Sequence, residues 1–312
     1  MGGVKQGTLL AYSVITRFSV PVFFMISGAL FLSAEKNISI KQLYYKNIAK
    51  LLFLFFFWET VYQLYHVNFI LSAVNLKTVF SNILTANTQA HFWFLYLLLG
   101  NYILLPIIKI FVSNADQRQI EYSLLVFLVF VVAKYTLMGL DFRISTYYLN
   151  NVNRLGLDIT IGSAGYFILG HYLNEYPIAQ KLRFWLHFIG VISIVICIAL
   201  TIKKSFDSHF FVGQYLDHPT IFMLIWSVEI FLTAKYSHRN KFNLNFTAMS
   251  QASLGIYAMH MLIIFELNKR GFTANSFHPI ISVPVISLGV FFISFIFSML
   301  LKKVPFVGKW IV

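Results

Sequence analysis

Apolar residues fall along this chain in long runs separated by short polar segments. A helix that crosses a bilayer needs about 20 predominantly apolar residues. Nine stretches fit that description: residues 8–32, 48–71, 92–112, 120–138, 155–173, 184–202, 220–234, 249–267 and 280–301. The fifth is rich in Gly and Thr, and the seventh is short. The pattern predicts an all-α integral membrane protein, a polytopic helix bundle of about nine transmembrane helices. No low-complexity tract, soluble appendage or internal repeat divides residues 1–312. No cleavable signal peptide is expected, because residues 1–7 lead into the first run without a small-residue cleavage pattern.

Composition agrees with the pattern. The chain is 58% hydrophobic, 18% aromatic and only 11% charged, whereas a soluble domain spends about a quarter of its residues on charge. The net charge of +13 alone would suggest a polyanionic partner, but its placement points elsewhere. Most Lys and Arg sit in clusters between apolar runs, as expected of loops held against an anionic leaflet. Setting the 33–47 loop in the cytoplasm and alternating thereafter puts Lys36, Lys41, Lys46, Lys50, Lys109, Arg118, Lys181, Arg183, Lys235, Arg239, Lys241, Lys302, Lys303 and Lys309 inside. Lys77, Lys134, Arg143, Arg154, Lys203, Lys204, Lys269 and Arg270 then lie outside. The expectation is a multi-pass cell membrane protein with a cytoplasmic C-terminus, membrane lipid as its surroundings and no nucleic-acid partner. Nine spans with that orientation put the N-terminus outside with almost nothing before it, which suggests a missing upstream helix.

Ionisable residues inside a membrane are costly and tend to face a bundle interior or cavity. Arg17 lies within the first stretch and shares a helical face with Ser13, Phe24 and Gly28; its planar fork suits a phosphate, a carboxylate or an oxyanion. Glu59, Tyr62, Gln63 and His66 form a polar stripe in the second, read either as a proton relay or as an interhelical hydrogen-bond network. Ser253, Tyr257 and His260 project from one face of the eighth, where a histidine can act as a general base. Glu229 and Glu266 have no obvious polar partner on their own faces. Cys197, the single cysteine, sits within an apolar run and reads as inert packing. In this topology Arg17, His91, Arg154, Asp158 and His260 fall toward the outer side, which suggests an outward-opening polar cavity. No metal-ligand spacing, phosphate-binding loop or Gly-x-Ser-x-Gly elbow is present, against a metal centre, an ATPase or a lipase.

The string Arg17-Phe18-Ser19-Val20-Pro21-Val22-Phe23-Phe24-Met25-Ile26-Ser27-Gly28 resembles the signature of the membrane-bound acyltransferase 3 family. Three further segments recur in that family's order. They are His91-Phe92-Trp93-Phe94-Leu95-Tyr96, continuing through Gly100 and Tyr102 to Pro106; Gly165-Tyr166-Phe167-Ile168-Leu169-Gly170; and Ser253-Leu254-Gly255-Ile256-Tyr257-Ala258-Met259-His260. The resemblance spans nearly the whole chain. It implies transfer of an acyl group, usually acetyl, from acyl-coenzyme A on the cytoplasmic side to a hydroxyl of a glycan, glycan precursor or lipid-linked acceptor. Acetyl-coenzyme A would be a co-substrate, and no bound cofactor is implied. Arg17, Ser27, Gly28, His91, Trp93, Tyr96, Tyr257 and His260 carry over as matched positions. Arg17 would stabilise the acyl donor or oxyanion, and His260 would orient the acceptor or assist proton transfer. Ser27, His91, Trp93, Tyr96, Tyr257 and Glu59 are candidate substrate-binding residues, with helix packing and interface anchoring the plainer reading for Trp93 and Tyr96.

Two features depart from the family pattern. Relatives begin with a helix that carries a histidine, whereas residues 1–16 contain none, and Met261 stands where relatives often have Pro. The expectation is therefore a single acyltransferase 3-like transmembrane domain over 1–312 that is N-terminally truncated. The competing readings are a proton-coupled transporter or flippase of a small polar solute, using Glu59 and His66, and an inactive truncated fragment. Transporters tend to show paired repeats with broken helices, and Pro21, Pro106 and Pro284 stand in unlike contexts.

Overall fold

The computed structural model describes residues 2–36, 39–70, 74–140, 151, 162–216, 219–237, 246–306 and 308–312. Every regular element among the described residues is helical. In chain order the α-helices of four residues or more are α1 (Gly2–Ile15), α2 (Ser19–Phe31), α3 (Ala49–His66), α4 (Leu76–Leu84), α5 (Trp93–Asn114), α6 (Gln117–Phe127) and α7 (Ala133–Leu140). They continue as α8 (Ala164–Glu175), α9 (Gln180–Ser208), α10 (Ile221–Tyr236), α11 (Thr247–Lys269), α12 (Pro279–Lys302) and α13 (Gly308–Ile311).

Seven of the nine expected spans are helices long and apolar enough to cross a membrane: Gly3–Phe31, Ile40–His66, Ala90–Asn114, Gln117–Leu140, Gln180–Ser208, Thr247–Lys269 and Pro279–Lys302. The other two differ for separate reasons. The seventh stretch forms α10, whose 16 residues cover only about 24 Å at 1.5 Å per residue. The fifth falls partly outside the described residues, and what is described of it is α8, 12 residues long.

The surfaces of these helices are sorted for lipid. On α9, Phe184, Phe188, Val191 and Val195 are exposed, while Gly190, Ser193, Ile194 and Cys197 are buried. On α12, Ser282, Ser294 and Ser298 point inward while Ile281, Val285, Leu288 and Phe292 lie exposed. Small residues inside and large apolar residues outside is the arrangement of membrane helices, whose backbones approach closely because lipid already solvates their large side chains.

Contacts divide the chain into two compact units, Met1–Asn37 with Leu104–His238, and Ile38–Ile103 with Arg239–Val312. In the first unit, α2 and α8 cross backbone to backbone. A Cβ on Gly28 would lie 1.9 Å from the carbonyl oxygen of Phe167, and one on Gly170 would lie 1.9 Å from that of Met25. Only glycine at both positions allows this crossing. Between α1 and α2 the chain tightens into a 3-10 turn at Thr16–Phe18. Pro21 accounts for the irregularity, because its ring clashes with the carbonyl of the residue four earlier, Arg17, and it brings no N–H of its own. The carbonyl of Ile15 is taken up by the indole N–H of Trp226 at 3.1 Å. A core of Val14, Ile194, Cys197, Tyr215, Leu216 and Met223 sits beside this region.

The second unit is built on α3, α4, α11, α12 and α13. The Trp58 indole donates to the carbonyl of Ile311 at 3.0 Å, fixing α13 against α3. The side chain of His278 caps the N-terminus of α12, with Pro279 at its first position, where a missing N–H costs nothing.

Candidate functional site

In the second unit, α3, the turn before α5, and α11 bring two histidines and two tyrosines together. Ala90–Phe92 forms a 3-10 turn, which presents His91 at the mouth of α5. Tyr257 and His260 are three residues apart on α11, one helical turn, so both face the same side. The rings of His91 and His260 meet edge-on, with centroids 5.1 Å apart and planes at 78°.

Each member is held by a specific bond. Fully buried Tyr62 donates from Oη to the carbonyl of Ala258 at 2.9 Å. Its oxygen also lies 3.4 Å from Nε2 of His91. Tyr257 donates to the carbonyl oxygen of His91. The Nδ1 of His260 lies 2.5 Å from the carbonyl of Tyr257. A carbonyl accepts only, so Nδ1 of His260 carries the proton and Nε2 holds the open lone pair. That is the tautomer a general base needs. Around the rings stand Phe92, 4.3 Å from His91 centroid to centroid, and Phe94, 5.2 Å from Tyr257.

Glu59 occupies a second position in the same unit. It is 1% exposed, and its Oε1 accepts from the amide of Asn82 at 3.5 Å. Its Oε2 is buried with no hydrogen-bond partner among the described residues. A carboxylate oxygen in that state carries a desolvation cost of several kcal/mol unless a donor reaches it, which suits a ligand hydroxyl. His66, at the end of the same helix, lies 3.4 Å from the amide of Gln89. Gln63, one turn along α3, also hydrogen-bonds to the Glu59 carboxylate, and His66 is near enough to act on its charge, so the polar stripe expected on α3 holds together while Asn82 and Gln89 join it from outside the helix.

Other expected residues take structural positions. Tyr96 donates to the carbonyl of Ile83 at 2.7 Å and packs edge-on against Phe55, tying α5 to α4. Trp93 is 39% exposed, as befits an interface anchor. Ser253 lies on the face of α11 that it was expected to share, but it is exposed and its hydroxyl bonds back to the carbonyl of Ser250 at 2.8 Å. Glu266 has the partner that was not expected of it: Tyr65 donates to its Oε1 at 2.8 Å, and Lys269, on its own helix, lies 3.3 Å away.

Arg17 and Ser27 belong to the first unit. Arg17 lies in the Thr16–Phe18 turn, half-buried, with Phe18 edge-on to Trp226 at 6.3 Å. No described carboxylate pairs with it. Ser27 is 6% exposed and lies beside the Gly28 crossing. Arg154 and Asp158, also expected near the cavity, lie outside the described residues. The residue that the sequence did not point to is His187, which another helix brings to within 3.0 Å of Glu229.

The model of the acyltransferase 3 family, described as an acyltransferase domain, matches residues 2–302. No curated protein and no solved structure matches the chain. The match runs through α1 to α12 and takes in the Arg17 to Gly28 string, the Gly28 and Gly170 crossing and the His91 and His260 pair alike, so the chain belongs to the acyltransferase 3 family and is a membrane-embedded acyltransferase.

Proposed function

We propose that this protein moves an acetyl group from acetyl-coenzyme A to a hydroxyl of a cell-envelope glycan or related acceptor, in the cell membrane with its C-terminus in the cytoplasm. The observation that carries this reading is the His91 and His260 pair, with Nδ1 of His260 tied to the Tyr257 carbonyl. In this reading Nε2 of His260 accepts the proton of the acceptor hydroxyl as its oxygen attacks the thioester carbon. Tyr62 and Tyr257 hold the rings in place. The buried, unpartnered Oε2 of Glu59 receives a second hydroxyl of a polyhydroxylated acceptor. Arg17 serves the acyl donor, the role that its place in the family string implies. The excess of Lys and Arg in the loops assigned to the cytoplasm supports the orientation.

The test is transfer of labelled acetyl from acetyl-coenzyme A into envelope glycan by membranes containing the protein. Label is expected in alkali-labile ester linkage and is expected to vanish with His260→Ala. Movement of a polar solute across the membrane without acylation would contradict the proposal.

A further inference from the structure

The second unit holds a groove that the reading above leaves unused. A cavity of about 620 Å³ lies between α3, α11 and α12, within the roughly 300–1,000 Å³ usual for small-molecule sites. Its floor is one face of α11, from Met259 through Ile263 and Glu266 to Arg270 just past the helix end, positions three or four apart. Tyr65 and Phe69 form one wall, Ile293 and Phe297 the other. Phe69 takes a left-handed φ of 62°, costly for a large side chain, and this sets its ring edge-on to Tyr65 at 6.2 Å. Phe69, Ile293 and Phe297 are exposed, so in a bilayer the groove opens sideways to lipid.

The polar end of the groove is cationic. Tyr65 donates to Oε1 of Glu266 at 2.8 Å, and Lys269 lies 3.3 Å from the same oxygen, its ammonium 4.2 Å over the Tyr65 ring. Lys269 thereby matches Glu266, and Arg270 is left as the extra positive charge, exposed and in no ion pair among the described residues. In the orientation proposed above these two cations lie on the outer side, where loops carry few of them, so topology does not account for the pair. A guanidinium at the end of an apolar groove suits an amphiphile with a phosphate head and a hydrocarbon chain, since its planar fork can hold phosphate through two parallel hydrogen bonds. From Met259 to Arg270 the floor runs about 16 Å at 1.5 Å per residue. That is about half of a hydrocarbon core about 30 Å thick, the depth that a chain in the outer leaflet reaches. His260 follows Met259 directly, about 100° around the helix, so the groove and the imidazole pair occupy neighbouring faces of α11.

We infer that the groove seats the apolar chain of a lipid-linked acceptor, with its phosphate on Arg270 and its glycan passing along the neighbouring face of α11 to His260. This rests on the acyl transfer proposed above and names the class of acceptor that it uses.

The test uses the full chain in phosphatidylcholine nanodiscs, with geranylgeranyl phosphate bearing a photoreactive group as the probe. The probe is expected to label the α11 and α12 segments that line the groove, and to inhibit transfer of labelled acetyl from acetyl-coenzyme A to an envelope lipid extract. Geranylgeraniol, which lacks the phosphate, is expected to act at least about tenfold more weakly, the effect of losing a charge-assisted hydrogen bond. Arg270→Gln is expected to erase that difference. Ile293→Trp, at an exposed wall position, narrows the groove without touching the core and is expected to weaken phosphate and alcohol alike. Equal action of phosphate and alcohol on wild type, labelling unchanged in both variants, or labelling without inhibition would each overturn this inference alone. Displacement of the probe by an equal proportion of phosphatidylglycerol would do the same, by showing bulk anionic lipid at the site. A wild-type protein that takes the probe but transfers no acetyl would overturn the proposed reaction and the acceptor role with it.

Discussion

His91 and His260 come from different helical elements and meet with ring centroids 5.1 Å apart. Tyr257 links them: its hydroxyl donates to the backbone carbonyl of His91, and its own carbonyl meets Nδ1 of the His260 ring. A base held in one tautomer by a backbone carbonyl is ready for proton transfer without rearrangement. His260→Ala is therefore expected to reduce kcat by about 100-fold or more, with the variant still inserted at wild-type levels. Turnover of the purified variant checks this.

Tyr62 separates positioning from chemistry. Its hydroxyl bonds the Ala258 carbonyl and borders His91 while its ring is fully buried. Tyr62→Phe keeps the ring and removes the oxygen, with an expected cost of about 1 kcal/mol in stability and a lower kcat. Thermal unfolding in detergent and steady-state kinetics measure the two effects. Tyr96→Phe, which loses the bonds to the Ile83 carbonyl and the Thr88 side chain, is expected to show the stability loss without the kinetic one.

Glu59 is expected to act on the acceptor. Because one of its oxygens is buried without a partner, Glu59→Gln should raise KM for the acceptor roughly tenfold, the effect of about 1.4 kcal/mol of lost binding. KM for acetyl-coenzyme A should stay unchanged. Varying each substrate in turn distinguishes this from a general loss of fold.

The crossing of α2 and α8 sets a sharp steric prediction. A methyl group at Gly28 or Gly170 would fall 1.9 Å from a backbone carbonyl oxygen, and backbone cannot step aside as a side chain can. Gly28→Ala and Gly170→Ala are each expected to cost at least about 1–3 kcal/mol, the range of overpacked cores. Gly100→Ala and Gly289→Ala, where nothing stands within 4 Å of the added carbon, should be neutral. Yield of folded protein after extraction from membranes compares the four.

Much of this was legible in the sequence because membrane helices announce themselves by length and apolarity. Seven spans lie where the apolar runs put them, and Gly28 and Gly170 stood within recognisable strings before their contact was known. Pairing across helices was less legible. The partner of Glu229, His187, lies 42 positions away in the chain, so a search along its own face does not reach it. Ser253 shows the converse: it shares a nominal helical face with Tyr257 and His260, yet it bonds back to Ser250 instead of joining them. Face arithmetic gives direction only, and contact depends on which neighbouring helix passes there.

The central claim is that the imidazoles near Tyr257 perform acyl transfer from coenzyme A. Its most direct measurement is the rate of labelled acetyl transfer from acetyl-coenzyme A by the purified protein in proteoliposomes, comparing wild type with His260→Ala, Arg17→Ala and Cys197→Ala. Cys197 is fully buried, with its thiol toward the Tyr215 carbonyl, and serves as the control. The account predicts wild-type transfer, retained in Cys197→Ala and lost in both His260→Ala and Arg17→Ala. Undiminished transfer in a folded His260→Ala protein would contradict it.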